Sequence, residues 1–399
     1  LVRAPGSGPH GGKVMTPMKL DKFCLVGAIA ALLALIFPLA GIDPDTGKQV
    51  AFVGDIPGLA IAMALCVIAG AAFTWLGVRT VISGAVILAV AVFGCSQAIA
   101  TLYDYGVAGY AGTGFWLFII SLWAFVWRGI DVIANYRSLE MAKQQAANAI
   151  VPVAFGVWLL FVWEVVVSGF GVPQVLLPPP SMIGVRFVTS TDIMAADFYQ
   201  TFVKAVLSGY VLGCGSAFVM AIAVDRVPFL KRGLLPLGNM VSALPIIGVA
   251  PIMVMWFGFD WQSKAAVIVI MTFFPMLVNT VTGLNAAGKL ERDLMATYAS
   301  GYWSTLFRLR LPAAMPFVFN ALKINSTLAL IGAIVAEFFG TPIVGMGFRI
   351  STEVGRMNID MVWAEIALAA LAGTAFYGAV AYIERKATSW HPSFRVRRH

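Results

Sequence analysis

The sequence predicts an all-α, polytopic transmembrane helix bundle, and three observations carry that expectation. Hydrophobic residues make up 60% of the 399 positions and charged residues only 12%, with a mean hydropathy of +0.87. Soluble domains are roughly 45–50% apolar and about 25% charged. Ten apolar runs reach about the 20 residues that a helix rising ~1.5 Å per residue needs to cross a ~30 Å hydrocarbon core. No alternating pattern of the kind that builds a membrane barrel is present. Composition alone therefore excludes a soluble enzyme, a disordered chain and a nucleic-acid binder.

The elements follow in order. The chain opens on Leu1, so Met15 or Met18 is the expected natural start, and the Gly/Pro-rich residues 1–22 read as a flexible arm. The first run, 23–40, follows Lys19 and Lys22 as a signal peptide would. Its end, Pro38-Leu39-Ala40, is a poor small-x-small cleavage site and more spans follow, so an uncleaved helix is expected. Further spans are expected at 58–77, 80–100, 111–128, 149–169, 201–224, 234–256, 265–284, 317–340 and 360–383. The polar, helix-favouring stretch 129–148 is too charged to span. It is expected as a cytoplasmic linker helix between a four-helix N-terminal extension (23–128) and a six-helix part (149–390), with a basic tail at 391–399.

Charge orients the bundle. With the N-terminus in the cytoplasm, six of the 27 Lys and Arg (Lys48, Arg186, Lys204, Lys264, Arg349 and Arg356) fall outside, leaving 21 inside. That bias predicts both termini cytoplasmic, and it accounts for most of the net charge of +8 without an acidic partner.

Chemistry-bearing residues are few. His10, His391 and His399 lie beyond the predicted spans, which removes an intramembrane His relay or His metal site. Cys24, Cys66, Cys95 and Cys214 sit in apolar runs without paired spacing and read as buried hydrophobes. Gly-Lys occurs at 12–13, 47–48 and 288–289, never followed by Ser or Thr, so no GxxxxGK[ST] phosphate loop exists. Glu164, Glu337 and Glu365 lie in or near spans. Each is read either as a functional intramembrane carboxylate or as one satisfied near an interface. Glu337, inside ALIGAIVAEFFG, offers the strongest case for function, as the carrier of a proton-coupled secondary transporter.

Residues 289–316 form the most informative loop. Asp293 suits the N-terminus of a short helix, Ala299-Ser300-Gly301 supplies a small turn, and residues 302–311 form a second short helix with Trp303, Leu306, Phe307 and Leu309 on its apolar side. Pro312 and Pro316 are expected to break the chain before the next span. This aromatic and basic surface, with Tyr302, Arg308 and Arg310, suits a docking protein. Spacing alone equally allows a loop that only fixes orientation.

Here the sequence resembles a known family. Asp293, the small turn and Leu311-Pro312, with Pro312 nineteen residues after Asp293, look like the EAA loop of membrane permease subunits of bacterial ATP-binding-cassette importers. Asp293 replaces the usual Glu, Leu294-Met295 replace two Ala, and Ala299 stands where Gly is usual, with Gly301 two residues on. Trp163-Glu164, Leu177-Pro178-Pro179-Pro180-Ser181, the 201–213 run, Leu244-Pro245 through Pro251 to Trp256-Phe257-Gly258, Phe273-Phe274-Pro275 with Asn279, and Ala336-Glu337-Phe338 with Gly345-Met346-Gly347 resemble, in order, the nitrate, sulfonate, taurine and pyrimidine-precursor branch. The resemblance covers about residues 150 to 390 and assigns nothing to 1–128.

It implies an alternating-access path for a small polar organic solute or anion. Pro245, Pro251, Trp256, Phe257, Phe273, Phe274, Asn279 and Glu337 are the path candidates. The implied partners are a cytoplasmic ATPase dimer docked on Asp293, Ala299, Ser300, Gly301, Tyr302, Trp303, Arg308, Arg310 and Pro312, a periplasmic solute-binding protein, a second permease copy forming a homodimer, and membrane lipid. No cofactor or metal is expected on this chain, and ATP acts through the partner ATPase. The implied location is the bacterial inner membrane.

Overall fold

Apolar runs of this length have one way to satisfy their backbone in lipid, which is to bond N–H to C=O within the segment. The computed structural model describes residues 20–40, 53–78, 80–137, 140–242, 244–340 and 343–390, and among them every named element is helical. Residues 1–19 of the expected arm, the C-terminal tail, all three His and Lys48 lie outside the described residues, and Lys22, expected to close the arm, begins α1.

The helices are α1 (Lys22–Ala34), α2 (Pro57–Leu76), α3 (Val81–Tyr103), α4 (Thr113–Ala134), α5 (Met141–Gly169), α6 (Pro180–Thr189), α7 (Thr191–Arg226), α8 (Pro228–Ser242), α9 (Ile246–Phe257), α10 (Trp261–Leu284), α11 (Lys289–Thr297), α12 (Tyr302–Glu337), α13 (Met346–Gly355) and α14 (Ile359–Ala387). Among the described residues, eight are long and apolar enough to cross a membrane: α2 to α5, α7, α10, α12 and α14. The apolar helices α1 and α9 are shorter. Helix α1 stops at Ala34, ahead of Pro38.

Three expectations are corrected. The 234–256 run is two helices: α8 ends at Ser242, and Pro245 is the N-cap of α9 rather than a residue within one long helix. Proline has no N–H to continue the ladder and drives Leu244 out of the helical region. The stretch 129–148 is no helix of its own, since its ends belong to α4 and α5. Finally, Pro312 and Pro316 do not interrupt the chain, because α12 runs through both. A π-helical stretch at Leu306–Arg310 precedes Pro312. Its wider turn, with the Leu311 N–H bonded five residues back to the Leu306 carbonyl, relieves the clash a proline ring makes in a regular ladder.

The chain divides into two compact units, Leu1–Ser181 and Met182–His399. In the first, α4 is the central helix, packing on α1, α2, α3 and α5, with Phe115, Phe118, Leu122 and Phe125 fully buried. Small residues set the spacing: a Cβ on Gly70 would stand 2.7 Å from the Ala28 Cβ. At one end Arg128 binds Asp21 (2.5 Å), Asp131 (2.5 Å) and the Val78 carbonyl (2.9 Å), tying α1, α4 and the α2–α3 turn together.

In the second unit, α10 lies between α7 and α12. The Gly209-xxx-Gly213 pair lets α7 lie on α10: added Cβ atoms would sit 2.7 Å from the Ile268 Cβ and 2.1 Å from the Thr272 Oγ1. A buried polar bond, Asn325 Nδ2 to the Thr272 carbonyl (2.8 Å), joins α12 to α10.

Candidate functional site

The docking loop is built from two helices and one turn. In α11, Glu291 occupies the first turn and Gly288 is the N-cap, so Asp293 lies one turn deeper than expected, exposed in mid-helix. The helix closes with the Ser300 N–H bonded to the Met295 carbonyl (3.0 Å) and the Ala299 N–H to the Ala296 carbonyl (2.9 Å). Those two bonds are a Schellman motif, whose C′ residue must be left-handed. Ala299 is that residue, at φ +52°. The position where the resembling loops have Gly is thus the one that needs positive φ, and Gly301 is instead the N-cap of α12, at φ −68°.

Helix α12 is anchored to the end of α7. Arg310 forks onto Asp225 (2.7 and 2.6 Å), and the Tyr302 hydroxyl donates to the same carboxylate (2.9 Å). Arg310 Nε also donates to the Leu284 carbonyl at the end of α10 (3.0 Å). Arg226 lies over the Tyr302 and Trp303 rings at 5.4 and 5.7 Å. The loop is therefore a rigid platform rather than a free connection. Its outer side remains apolar: Leu290 (83% exposed), Leu294, Tyr298, and the stacked Trp303–Phe307 pair are all uncovered. Ser300 and Pro312 are half-buried, and Arg308 is exposed.

The predicted path residues lie on α9, on α10 and at the end of α12. Pro245 is exposed at the start of α9, while Trp256 and Phe257 are exposed at its end. Pro251 is half-buried within the same helix. Phe273 and Phe274 contact each other edge to face at 5.1 Å on α10. The Asn279 amide is used on its own helix, donating to the Pro275 carbonyl (2.8 Å). The break between α8 and α9 borders a cavity of about 160 Å³ lined by Leu244, Ile246, Val249, Met271, Pro275 and Leu328.

Glu337 belongs to a buried clasp. It is 2% exposed and accepts hydrogen bonds from Thr201 Oγ1 (2.8 and 3.0 Å) and the Gly347 N–H (2.7 Å). The Met346 N–H donates to Thr201 Oγ1 (2.8 Å) and the Gly345 N–H to Asp197 (2.6 Å), which also pairs with Arg349 (2.8 Å). Two carboxylates thus receive the free amides at the N-terminus of α13. Glycine is required there, since a Cβ on Gly345 would lie 2.8 Å from the Glu337 carboxyl and one on Gly347 2.2 Å from the Ile334 carbonyl oxygen.

Nearby, Lys264 is buried and donates to the carbonyls of Phe259 (2.5 Å) and Gly340. Gln200 donates to Asp260 (2.8 Å), and that bond holds the Asp260 carboxyl below its ordinary range. Glu365, the third carboxylate singled out in the sequence, is fully buried on α14.

Comparison with known proteins fits this geometry. A profile described as "Binding-protein-dependent transport system inner membrane component" matches residues 209–389, which include α11, the Ala299 turn, the Asp225 anchor and Glu337 with Gly345 and Gly347 of its clasp. The formylaminopyrimidine transport permease ThiX of Halalkalibacterium halodurans is 30% identical over 251 residues, covering 62% of this chain and 98% of the relative. The chain belongs to this permease family.

The riboflavin transport permease RibX of Chloroflexus aurantiacus is 29% identical over 267 residues (66% of this chain, 97% of the relative). The taurine permease TauC of Escherichia coli is 25% identical over 240 residues (58% and 86%). The chain is accordingly a permease subunit of an ATP-binding-cassette importer, a multi-pass inner-membrane protein of the sulfonate, taurine and pyrimidine-precursor branch. Membership does not favour the proton-coupled alternative, and the clasp gives Glu337 a structural reason for its burial.

Sequence reading missed Asp225, Thr201, Asp197 and Lys264. Asp225-Arg226 closes an apolar run and looks like an ordinary helix end. Its partner lies 85 residues on, and nothing local signals the pairing.

Proposed function

We propose that α11 and the start of α12 dock the ATPase subunits of the importer, and that closure of those subunits on ATP moves α12, and α7 and α10 with it. The observation that carries this reading is the platform itself: an uncovered apolar side at Leu290, Leu294, Tyr298, Trp303 and Phe307, backed by the Arg310–Asp225–Tyr302 anchor. A rigid anchor of this kind would carry a push on the loop into three spans, whereas a loose loop would absorb it.

In this reading Asp293, Ala299, Ser300, Gly301, Arg308 and Pro312 shape the docking surface, and ATP is hydrolysed by the partner rather than by this chain. A second copy completes the path, bordered by α9 and α10 with Pro245, Pro251, Trp256, Phe257, Phe273, Phe274 and Asn279. Glu337 fixes the α12–α13 exit of the path. A solute-binding protein delivers a small polar organic solute or anion, the class to which formylaminopyrimidine, riboflavin and taurine belong. Both termini face the cytoplasm, as the Lys and Arg bias suggests. Residues 149–390 form the permease core, and 23–128 are an extension to it.

The test is deletion of residues 299–303 in the full chain. The deleted protein is expected in the membrane at normal level but without co-purifying ATPase. Undiminished co-purification would refute the docking assignment.

A further inference from the structure

The first unit, which lies before the 209–389 family match, contains an open-sided cavity of about 850 Å³. It runs along one face of α3 from Leu88 through Val92 and Ile99 to Tyr103, and along α5 from Ala154 through Phe161 to Glu164, with Val126 and Ile130 of α4 as its floor. Its sides open outward, since Val92, Val157 and Leu160 are all exposed. The fifteen helical rises from Leu88 to Tyr103 make it about 22 Å long.

One end is polar. Glu164, 6% exposed, accepts from the Tyr103 hydroxyl, the Ser181 Oγ (2.7 Å) and the Ser181 N–H (2.8 Å), and the Tyr103 hydroxyl also bonds Ser168 Oγ (2.8 Å). All three donors to the carboxylate are neutral. The N-terminus of α6, which supplies the Ser181 N–H, contributes only about half a positive charge. Among the described residues no Lys, Arg or His lines the cavity or pairs with Glu164. An anionic headgroup would find no cation there, while an ammonium would gain the Glu164 carboxyl as an acceptor.

We propose that this slot holds a membrane phospholipid with a primary ammonium headgroup, phosphatidylethanolamine, its acyl chains along α3 and α5 and its ammonium against Glu164. The lipid would fill an apolar gap that the first unit's own side chains leave open, and so stiffen the packing of α5 on α3 and α4.

The experiment uses the full chain purified in mild detergent, with bound lipid read by native mass spectrometry. The wild type is expected to retain phosphatidylethanolamine over phosphatidylglycerol at roughly tenfold above their ratio in the source membrane, the size of one charge-assisted hydrogen bond. Ala154→Trp, which fills the slot, loses the lipid; Glu164→Gln keeps lipid and loses the preference. A diazirine-bearing phosphatidylethanolamine should label peptides 88–103 and 154–164 of the unaltered chain, competed by phosphatidylethanolamine and not by phosphatidylglycerol. This arm stands even where a variant fails to fold. No retained lipid, equal retention by Ala154→Trp, a headgroup ratio equal to the membrane's, or a crosslinker at Val157 that captures a protein segment instead of lipid would each overturn the proposal.

Discussion

Asp225→Asn isolates the anchor of the docking loop. Asp225 accepts three hydrogen bonds, two from Arg310 and one from Tyr302, and the two charged side chains are only 5% and 13% exposed. The substitution preserves shape but removes the charge, and the new amide presents a donor to donors. Breaking one side of a buried pair costs about 3–5 kcal/mol, and the oxygen that Asn retains keeps the loss near 3 kcal/mol. That free energy separates the closed start of α12 from its opened form, so the opening equilibrium should rise about 100-fold. Hydrogen exchange of the complex in detergent measures it: amides across residues 302–310 should lose about two decades of protection, while those of α14 stay unchanged. A double variant, Asp225→Ala with Arg310→Met, removes both charges and should recover most of the protection. Unchanged exchange in Asp225→Asn would show that the pair does not hold the loop.

Three further outcomes follow from the geometry. Ala299→Gly should stabilise the α11 turn by up to about 1 kcal/mol, since left-handed backbone costs a Cβ-bearing residue ~1–2 kcal/mol and glycine's extra unfolded-state entropy returns part of it; slower proteolytic cleavage at the turn would show it, and Ala299→Val should cleave faster than wild type. Gly347→Ala should leave little folded protein, because its Cβ would meet the Ile334 carbonyl at 2.2 Å, whereas Gly215→Ala, where nothing lies within 4 Å, should be neutral; size-exclusion yield compares them. Gln200→Ala should lower thermal stability at neutral pH and converge on wild type in acid. The Gln200 bond favours the charged form of Asp260, so its contribution is full above the ordinary carboxylate range and is lost as pH falls through the depressed value in the folded protein; parallel melting curves across pH would contradict this.

Much of the fold was legible because its driving force is one-dimensional. Lipid imposes a length and an apolar content on each span, and both can be counted along the chain, as at 58–77 against the observed Pro57–Leu76. The misreadings occurred where backbone geometry overrides composition. Pro245 ends a helix because it sits at a cap, while Pro312 and Pro316 are carried through by a preceding π-helical stretch. Proline identity alone does not distinguish those outcomes. The docking loop was legible in outline through its spacing, and Ala299 was singled out as the residue standing where glycine is usual; only its φ of +52° gives the reason. Asp225, Thr201 and Asp197 were not legible, since each acts through a partner at least 77 residues away. Among the path candidates, Glu337 was visible as a rare buried carboxylate, but the amides it accepts from become known only in three dimensions.

We propose that transport through this chain draws its energy from a partner's ATP hydrolysis, delivered at the α11–α12 platform. The direct measurement is uptake into proteoliposomes containing the purified permease and its ATPase, with a solute-binding protein on the outer side. Uptake should require ATP on the side of the loop, cease with a hydrolysis-dead ATPase, and persist in the absence of a proton gradient. Uptake that proceeds without the ATPase when a proton gradient is imposed would overturn ATP-driven transport at this platform.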